Sequence, residues 1–299
     1  MVYDEHDTHT AGKLGRRGFL QLGGGALLAA ALTDAAASSV IMSAGEGEDL
    51  KIQRLSWAGL KLVSGESTVF IDPWVSPETL NGAWKDPIVP IQVETQTRAV
   101  LITHLHNDHF DPKAISSVFE KSPGVVVCHT KVADTVASRG FRVRSLDMYE
   151  PLVLGDFTVA PVPAADGFGE YQVSWVVTAG GRRVIHCGDT LWHGGWWKTG
   201  RQYGPFDAAF LPINGVVIKE GAQEPASDLP VVMTAEQAVA AGIVLGAKLV
   251  IPIHYGVRDP ASYVEDPKAE SSLLEIARRR EQAVELVKPG DWVKWRPSA

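Results

Sequence analysis

Cysteine is nearly absent: the 299 residues include only Cys128 and Cys187. One pair cannot build a disulfide framework. Each falls in an apolar run that reads as a buried strand, where a free thiol acts as a small core hydrophobe. A single bridge between them stays open if the chain is exported. Long runs of like charge are missing too. The formal net charge is −7 and no basic stretch or patch is visible, which argues against nucleic acid as the main partner. No segment has the roughly 20 consecutive apolar residues that a membrane-spanning helix needs, so no stable span is expected. Short-period repeats are also lacking. With 45% apolar residues, the chain can build one large domain with a substantial core, and two are not required.

The first residues read as an address and not as part of the fold. Gly15-Arg16-Arg17-Gly18-Phe19-Leu20-Gln21 precedes an apolar, small-residue stretch over 22–32, and Ala35-Ala36-Ala37 follows before Ser38. These are the three parts of a signal peptide, and the paired arginines match the twin-arginine export pattern. The competing reading is a short amphipathic or disordered arm. The expected organisation is therefore a signal over 1–37, a Ser-, Gly- and Glu-rich linker over 38–50, and one folded domain over 51–299. The destination would be the periplasm, the cell surface or the exterior. Without the signal the chain is still acidic.

From residue 51 on, short apolar or alternating runs divided by Gly and Ser predict a meander of strands over 52–57, 60–63 and 68–71. Residues 75–97 have little periodicity and read as a long surface loop. Further strands are expected over 99–102, 125–128, 143–146, 152–154, 157–162, 172–178, 183–187, 208–211, 249–253 and 292–295. Helices are expected over 112–121, 132–138 and 271–284. Another begins at Thr234, an N-cap with Gln237 three residues on, and ends at Gly246. Strands dominate each half and helices close it. That pattern predicts an α/β fold of two packed sheets with helices outside.

One stretch stands out. Ala99-Val100-Leu101-Ile102 leads into Thr103-His104-Leu105-His106-Asn107-Asp108-His109-Phe110-Asp111, then Pro112. In an extended chain His104 and His106 leave the same face and can grip one metal ion. Asp108 and His109 lie where the chain turns and can aim at a second. Four more strand ends carry acids or histidine next to Gly or Pro: Asp72, Asp166, Asp189 and His254. Such ends can converge on one edge of a sheet. Asp189 suits a bridge between two ions, and His254 would complete the second. Neutral imidazole and carboxylate suit zinc and other borderline divalent ions. Two ions about 3.5–4 Å apart would hold a hydroxide as nucleophile, with no need of serine or cysteine. A surface or core role would explain one histidine, but not three so close together beside Asp108.

The pattern His104-x-His106-x-Asp108-His109 resembles the signature of the metallo-β-lactamase superfamily of metal-dependent hydrolases. The resemblance runs from Ile71-Asp72-Pro73 through Gly188-Asp189-Thr190 and Met233-Thr234-x-Glu236-Gln237-Ala238 to Pro252-Ile253-His254-Tyr255-Gly256. That order is similar to the branch containing L-ascorbate-6-phosphate lactonase and N-acylphosphatidylethanolamine phospholipase D. It implies a four-layer αβ/βα sandwich with a dinuclear site at one edge, between two mixed sheets. It also implies His104 and His106 on the first metal, Asp108, His109 and His254 on the second, and Asp189 bridging. Asp72 would orient a ligating imidazole.

One departure stands inside that pattern. The family usually supplies a further histidine to the first metal, and the interval before Gly188 holds only His129 and His186. His129 ends a strand where the family has no ligand. His186, three residues before Asp189, points to the opposite face of a regular strand. Asp166 is the candidate replacement. The alternative is an ordinary turn aspartate before Gly167. As a ligand, Asp166 would make manganese or iron plausible beside zinc.

Weaker candidates surround these. His193 would contact substrate or protonate a leaving group, or lie on a helix surface. Trp192, with Trp196 and Trp197, would wall an apolar pocket or fill core. Asn214 is a substrate-binding candidate, and Tyr255 would donate to an oxyanion or simply pack. Asp108 would orient the hydroxide besides binding metal. The expected function is an exported hydrolase with two divalent ions, zinc first, acting on an ester, lactone or phosphodiester of a small-molecule or lipid-like substrate. Twin-arginine export carries folded proteins, which suits metal loading before export. The alternatives are a catalytically idle metal-binding partner or sensor, and a di-iron redox protein that would call for a flavin partner.

Overall fold

Side chains along the first sheet's strands point alternately into two buried clusters, and that alternation sets the layers. In Ser67–Ile71, Val69 and Ile71 face one cluster of buried side chains while Phe70 faces another. The next strand repeats this, with Ala99 and Leu101 on the first side and Val100 and Ile102 on the second. A period of two places successive side chains on opposite faces. Both faces are apolar, so the sheet must be covered on both sides.

The computed structural model describes residues 49–81, 83–219, 227–257 and 263–295. The expected signal over 1–37, and the linker up to residue 48, lie outside the described residues. Strands β1 (Lys51–Arg54), β2 (Leu60–Ser64), β3 (Ser67–Ile71), β4 (Thr97–Leu101), β5 (Val125–His129) and β6 (Val143–Leu146) form one sheet in chain order. Its first three strands are antiparallel and the rest parallel. The second sheet uses β7 (Leu152–Leu154), β8 (Phe157–Pro163), β9 (Val173–Ala179), β10 (Arg182–His186) and β11 (Ala208–Pro212). After the short β12 (Val217–Ile218), β13 (Val250–Ile253) completes it, giving the order β13-β11-β10-β9-β8-β7. β14 (Tyr263–Val264) pairs with β12 in a small two-stranded sheet.

The main core lies between the two large sheets, where Leu62, Val69, Leu101 and Val127 meet Phe157, Trp175, Val177 and Phe210. Helices α1 (Pro112–Phe119) and α2 (Ala133–Ser138) cover the outer face of the first sheet through Ile115, Val118 and Val136. Helices α3 (Trp196–Tyr203), α4 (Ala235–Leu245) and α5 (Ala269–Arg279) pack in series, with α4 against β11. The fold is thus the expected α/β sandwich of two mixed sheets with helices around them.

The pairings fix chain direction. β1, β3 and β4 run one way in the first sheet. β8, β10, β11 and β13 share one direction in the second. Each of these seven strands is followed by a residue of the candidate site: Trp57, Asp72, the His104–His109 loop, Asp166, Asp189, Asn214 and His254.

Most expected elements are present. The capping box at Thr234 forms with Gln237, and Gly246 takes the left-handed conformation at φ 65°. Both cysteines are buried and free. Two expectations need correction, and one helix goes beyond them. Residues 292–295 form no strand and make only an isolated bridge, Trp292 with Gln53. The last helix ends at Arg279, not at 284. Glu281 has φ 56°, which an α-helix cannot accommodate, and Val284 bridges to Val250 at the edge of the second sheet. Helix α3 was not anticipated, because its segment has a mixed aromatic composition with Gly195 before it and Gly200 inside it.

Candidate metal centre

The site starts from Asp72, a carboxylate with no exposure to solvent. β3 and β4 pair in parallel register, Ile71 beside Leu101, so Asp72 lies next to the start of the His-rich loop. Its Oδ1 accepts the Thr103 backbone N–H at 2.9 Å. Its Oδ2 accepts the Thr103 hydroxyl at 2.6 Å and lies 2.9 Å from His109 Nδ1. A carboxylate on Nδ1 fixes the proton there and leaves Nε2 as a lone pair, the arrangement found behind metal-binding histidines. Thr103 extends the relay. Its hydroxyl hydrogen is spent on Asp72, so the oxygen accepts from His104 Nδ1 at 3.0 Å. His104 then also presents Nε2.

The second sheet presses on this loop. Trp175 Nε1 donates to the Ile102 carbonyl at 3.0 Å, and the Val173 N–H donates to the Thr103 carbonyl at 3.0 Å. Gly188, at φ 60°, lies against Thr103, and a Cβ there would come 3.1 Å from the Thr103 hydroxyl. Asp189 follows directly. Thr190 ties its loop to that of Asp166, since its Oγ1 accepts the Ala165 N–H at 2.9 Å.

The candidate ligands come together. Ligand atoms of His104, His109 and Asp189 lie within 4.8 Å of one another, as do those of Asp108, His109 and His254. His104 Nε2 is 2.8 Å from His106 Nδ1 and 3.5 Å from Asp189 Oδ2. His254 Nε2 lies 3.5 Å from Asp108 Oδ2 and 4.0 Å from Asp189 Oδ2, so Asp189 faces both histidine groups. Asp166 reaches His106, its Oδ2 3.8 Å from Nε2, while its Oδ1 accepts the Phe168 N–H at 2.7 Å.

Four ligand-type atoms here are buried with no hydrogen-bond partner among the described residues: His109 Nε2, His254 Nε2, Asp189 Oδ1 and Asp166 Oδ2. Leaving a buried polar atom unpaired costs about 1–3 kcal/mol, more if charged. Four together fit divalent ions held by imidazole and carboxylate.

Electrostatics agree. Burial, opposed by Asp189, pushes His104 down to about 3, so it is neutral and free to ligate at pH 7. Burial also opposes the charge of His109, but the neighbouring Asp108, Asp72 and Asp189 outweigh it and raise the ring to about 9. Asp189, despite burial, is held well below the carboxylate range by the surrounding histidines. Without an ion, a proton on His109 balances the carboxylates.

Three non-glycine residues at this edge hold positive φ: Trp57 at 58°, Asp72 at 43° and His254 at 54°. Such conformations cost roughly 1–3 kcal/mol each and cluster at functional sites. Trp57 was missed by sequence reasoning, because tryptophan is not a ligand type. It is fully buried, its Nε1 donates to Asp108 Oδ2 at 2.9 Å, and its ring lies 4.2 Å from that of His254.

Several weaker candidates fall elsewhere. Asn214 is fully buried, so the substrate contact expected of it is corrected: its amide lies 3.2 Å from His254 Nδ1 and 2.8 Å from the Tyr263 hydroxyl. With Nδ2 toward the ring, Oδ1 is left unpaired. Turned over, the same amide would accept from both His254 Nδ1–H and Tyr263 O–H and leave His254 Nε2 as a lone pair, giving up the Nδ2 contact to Glu265 Oε1 at 3.4 Å. His193 is corrected too. It stacks on Trp196 at 4.4 Å, its Nδ1 accepts the Gly195 N–H, and burial lowers it to about 4. At pH 7 it carries no imidazolium proton to give a leaving group. Tyr255 accepts from Arg54 Nη1 at 3.1 Å. Trp192 packs against Trp196 and Trp197. His186 points away as expected, its Nε2 2.8 Å from the Ala58 carbonyl. His129 pairs with Tyr171.

Two mixed sheets with a histidine and aspartate centre at their shared edge define a metal-dependent hydrolase of the metallo-β-lactamase fold. A family profile described as Beta-lactamase superfamily domain matches residues 67–255, and the chain belongs to that family. It is 25% identical over 232 residues to a UPF0173 metal-dependent hydrolase of Thermococcus kodakarensis, covering 75% of this chain and 92% of the relative. A UPF0173 metal-dependent hydrolase of Thermus thermophilus is 28% identical over 253 residues, covering 81% and 97%. Among solved structures, the metallo hydrolase Igni18 of Ignicoccus hospitalis aligns with a TM-score of 0.61 at 21% identity, covering 82% of this chain and 97% of that one.

Trp57→Phe keeps the ring against His254 and removes the donor to Asp108. It should lower metal affinity by roughly 10–100-fold with folding intact, measured by chelator competition; unchanged affinity would show the indole bond to be idle. The raised pKa of His109 predicts a pH effect as well. In the metal-free protein this group stabilises the fold below its ordinary 6.5, and the contribution is lost as pH rises through about 9. An ion must displace that proton, so metal affinity should climb between those pH values, on the order of tenfold per unit for one proton released. Calorimetry in buffers of different ionisation enthalpy counts the proton, and a count of zero would refute this.

Proposed function

We propose that the chain is a dinuclear metallo-hydrolase acting on an ester, lactone or phosphodiester of a small, partly apolar molecule. The four unpartnered ligand atoms at one strand edge carry this reading. His104, His106 and Asp166 would hold the first ion, Asp108, His109 and His254 the second, and Asp189 would serve both. Two bound ions supply an acidified water and a Lewis acid for the oxygen that takes up charge. Zinc fits this donor set, and the carboxylate of Asp166 also admits manganese or iron at the first position.

The residues themselves do the positioning. Asp72 and Thr103 keep His109 and His104 in the tautomers that offer Nε2. Asp108 is held ionised: burial opposes this, but His109 and His254 outweigh it. Its side chain is 18% exposed and that of His106 is 23%, so these two mark the open face. Asp108 there would orient the attacking water. Phe168 stands edge-on to His106 at 5.4 Å and is 38% exposed. An exposed aromatic ring beside His106 supports a substrate with an apolar portion. The order of motifs, similar to the lactonase and phospholipase D branch, supports the ester and phosphodiester classes.

Elemental analysis of the purified protein should find about two ions per chain, with turnover on a lactone or phosphodiester panel. One ion or none, and no turnover, would refute the dinuclear reading; two ions without turnover would favour the idle metal-binding alternative. Asp166→Ala should lower the metal content by about one ion. Unchanged content and activity would make Asp166 a turn residue.

We further propose export, on the strength of Arg16-Arg17 and the apolar stretch behind them. Arg16→Lys with Arg17→Lys should trap the protein in the cytoplasm by cell fractionation. Unaltered distribution would count against a twin-arginine route.

A further inference from the structure

Beside the metal centre lies a half-open cavity of about 1370 Å³, and none of the seven candidate ligands lines it. Its nearest link to the centre is Tyr255, the residue after His254, together with Tyr263, whose hydroxyl meets the amide of Asn214 behind His254. Arg54 at the end of β1 also lines it.

Arg54 is only 2% exposed. Among the described residues no carboxylate lies within 4 Å of it. Its Nη1 donates to the Val287 carbonyl at 2.7 Å and to the Tyr255 hydroxyl at 3.1 Å, both neutral acceptors. Its guanidinium carbon lies 4.8 Å over the Tyr255 ring, and Nε has no partner. A buried guanidinium without a counter-charge is costly, and bidentate carboxylate or phosphate is the partner its planar fork fits. Lys288 adds a second cation to the wall, and Val264 and Leu286 add apolar surface. The acids nearby do not neutralise Arg54. Asp86, Asp266 and Glu270 also line the cavity but are exposed to water, and Glu265 accepts the Gly256 N–H at 2.9 Å.

We infer that this cavity binds a small organic anion, a carboxylate or phosphate with an apolar body, whose charged group pairs with Arg54. The anion is either the acidic end of the substrate of the proposed hydrolase or a separate effector acting on His254 through Tyr255 and Asn214. The first case rests on that hydrolase reading and the second does not.

Octanoate is a suitable probe, titrated by calorimetry into the metal-loaded and the metal-stripped full chain. One saturable site is expected in both. Arg54→Gln should weaken it about tenfold or more at unchanged metal content. Leu286→Trp, which narrows the cavity and replaces no residue that bonds Arg54, should weaken it likewise and covers the case in which Arg54→Gln fails to fold. With an ester substrate, octanoate that raises KM alone identifies the substrate's own acidic end, and octanoate that changes kcat identifies an effector. Either outcome keeps the site. No binding, or binding indifferent to both substitutions, overturns the inference, as does binding that vanishes with the metal and ignores Arg54. Because the metal-stripped protein is read directly, a failed hydrolase assignment would leave this measurement standing.

Discussion

The buried carboxylate of Asp72 is the constraint on which the rest of the site depends. It is fully enclosed, yet burial is outweighed by His109 and the other histidines, and its pKa is lowered. A charge in that position is tolerable only when it is well hydrogen-bonded, and the Thr103 N–H, the Thr103 hydroxyl and His109 supply three bonds to it. The same three bonds fix where the His-rich loop begins, which nitrogen of His109 carries the proton, and which nitrogen of His104 is free. One acid thus joins the register of β3 and β4 to the chemistry of the centre.

Strand direction supplies the second half of the argument. Seven strands of two sheets deliver their following residues to one edge, so groups from Trp57 to His254 meet although nearly two hundred positions separate them. The bonds from Trp175 and Val173 to the start of the loop lock the sheets together at that point. The strained backbones of Trp57, Asp72 and His254 are held by this packing, and each belongs to a residue that touches the centre or orients a member of it. Strain of this kind persists only where the surroundings over-determine it.

The centre divides the surface around it into two regions of different chemistry. On the side of His106 and Asp166 there is an exposed aromatic ring, Phe168. On the side of Tyr255 there is a cavity with a buried guanidinium. The histidine expected among the aromatics as an acid, His193, is instead stacked on Trp196 and kept neutral by burial. Burial alone changes the chemistry of an imidazole by moving its pKa.

Much of this was legible in the sequence, because it depends on local pattern. A period of two predicted nearly every strand, Thr234 and Gln237 predicted the start of α4, and the density of ligand types between His104 and His109 marked the centre. Distant ligands were legible as acids or histidine at strand ends. Local pattern could not reveal what depends on neighbours far along the chain. Residues 292–295 look like a strand, yet they lie along β1 without regular pairing. Residues 280–284 look helical, yet Val284 is drawn to the edge of the second sheet. Trp57, Asn214 and Arg54 carry no ligand signature, and their roles come from what folding puts beside them. Residue type and spacing determined which groups can hold a metal. Only the tertiary structure decided which nitrogen each histidine presents, which carboxylates stay charged and which candidates are buried out of reach, because tautomer, pKa and exposure are properties of the surroundings and not of the residue.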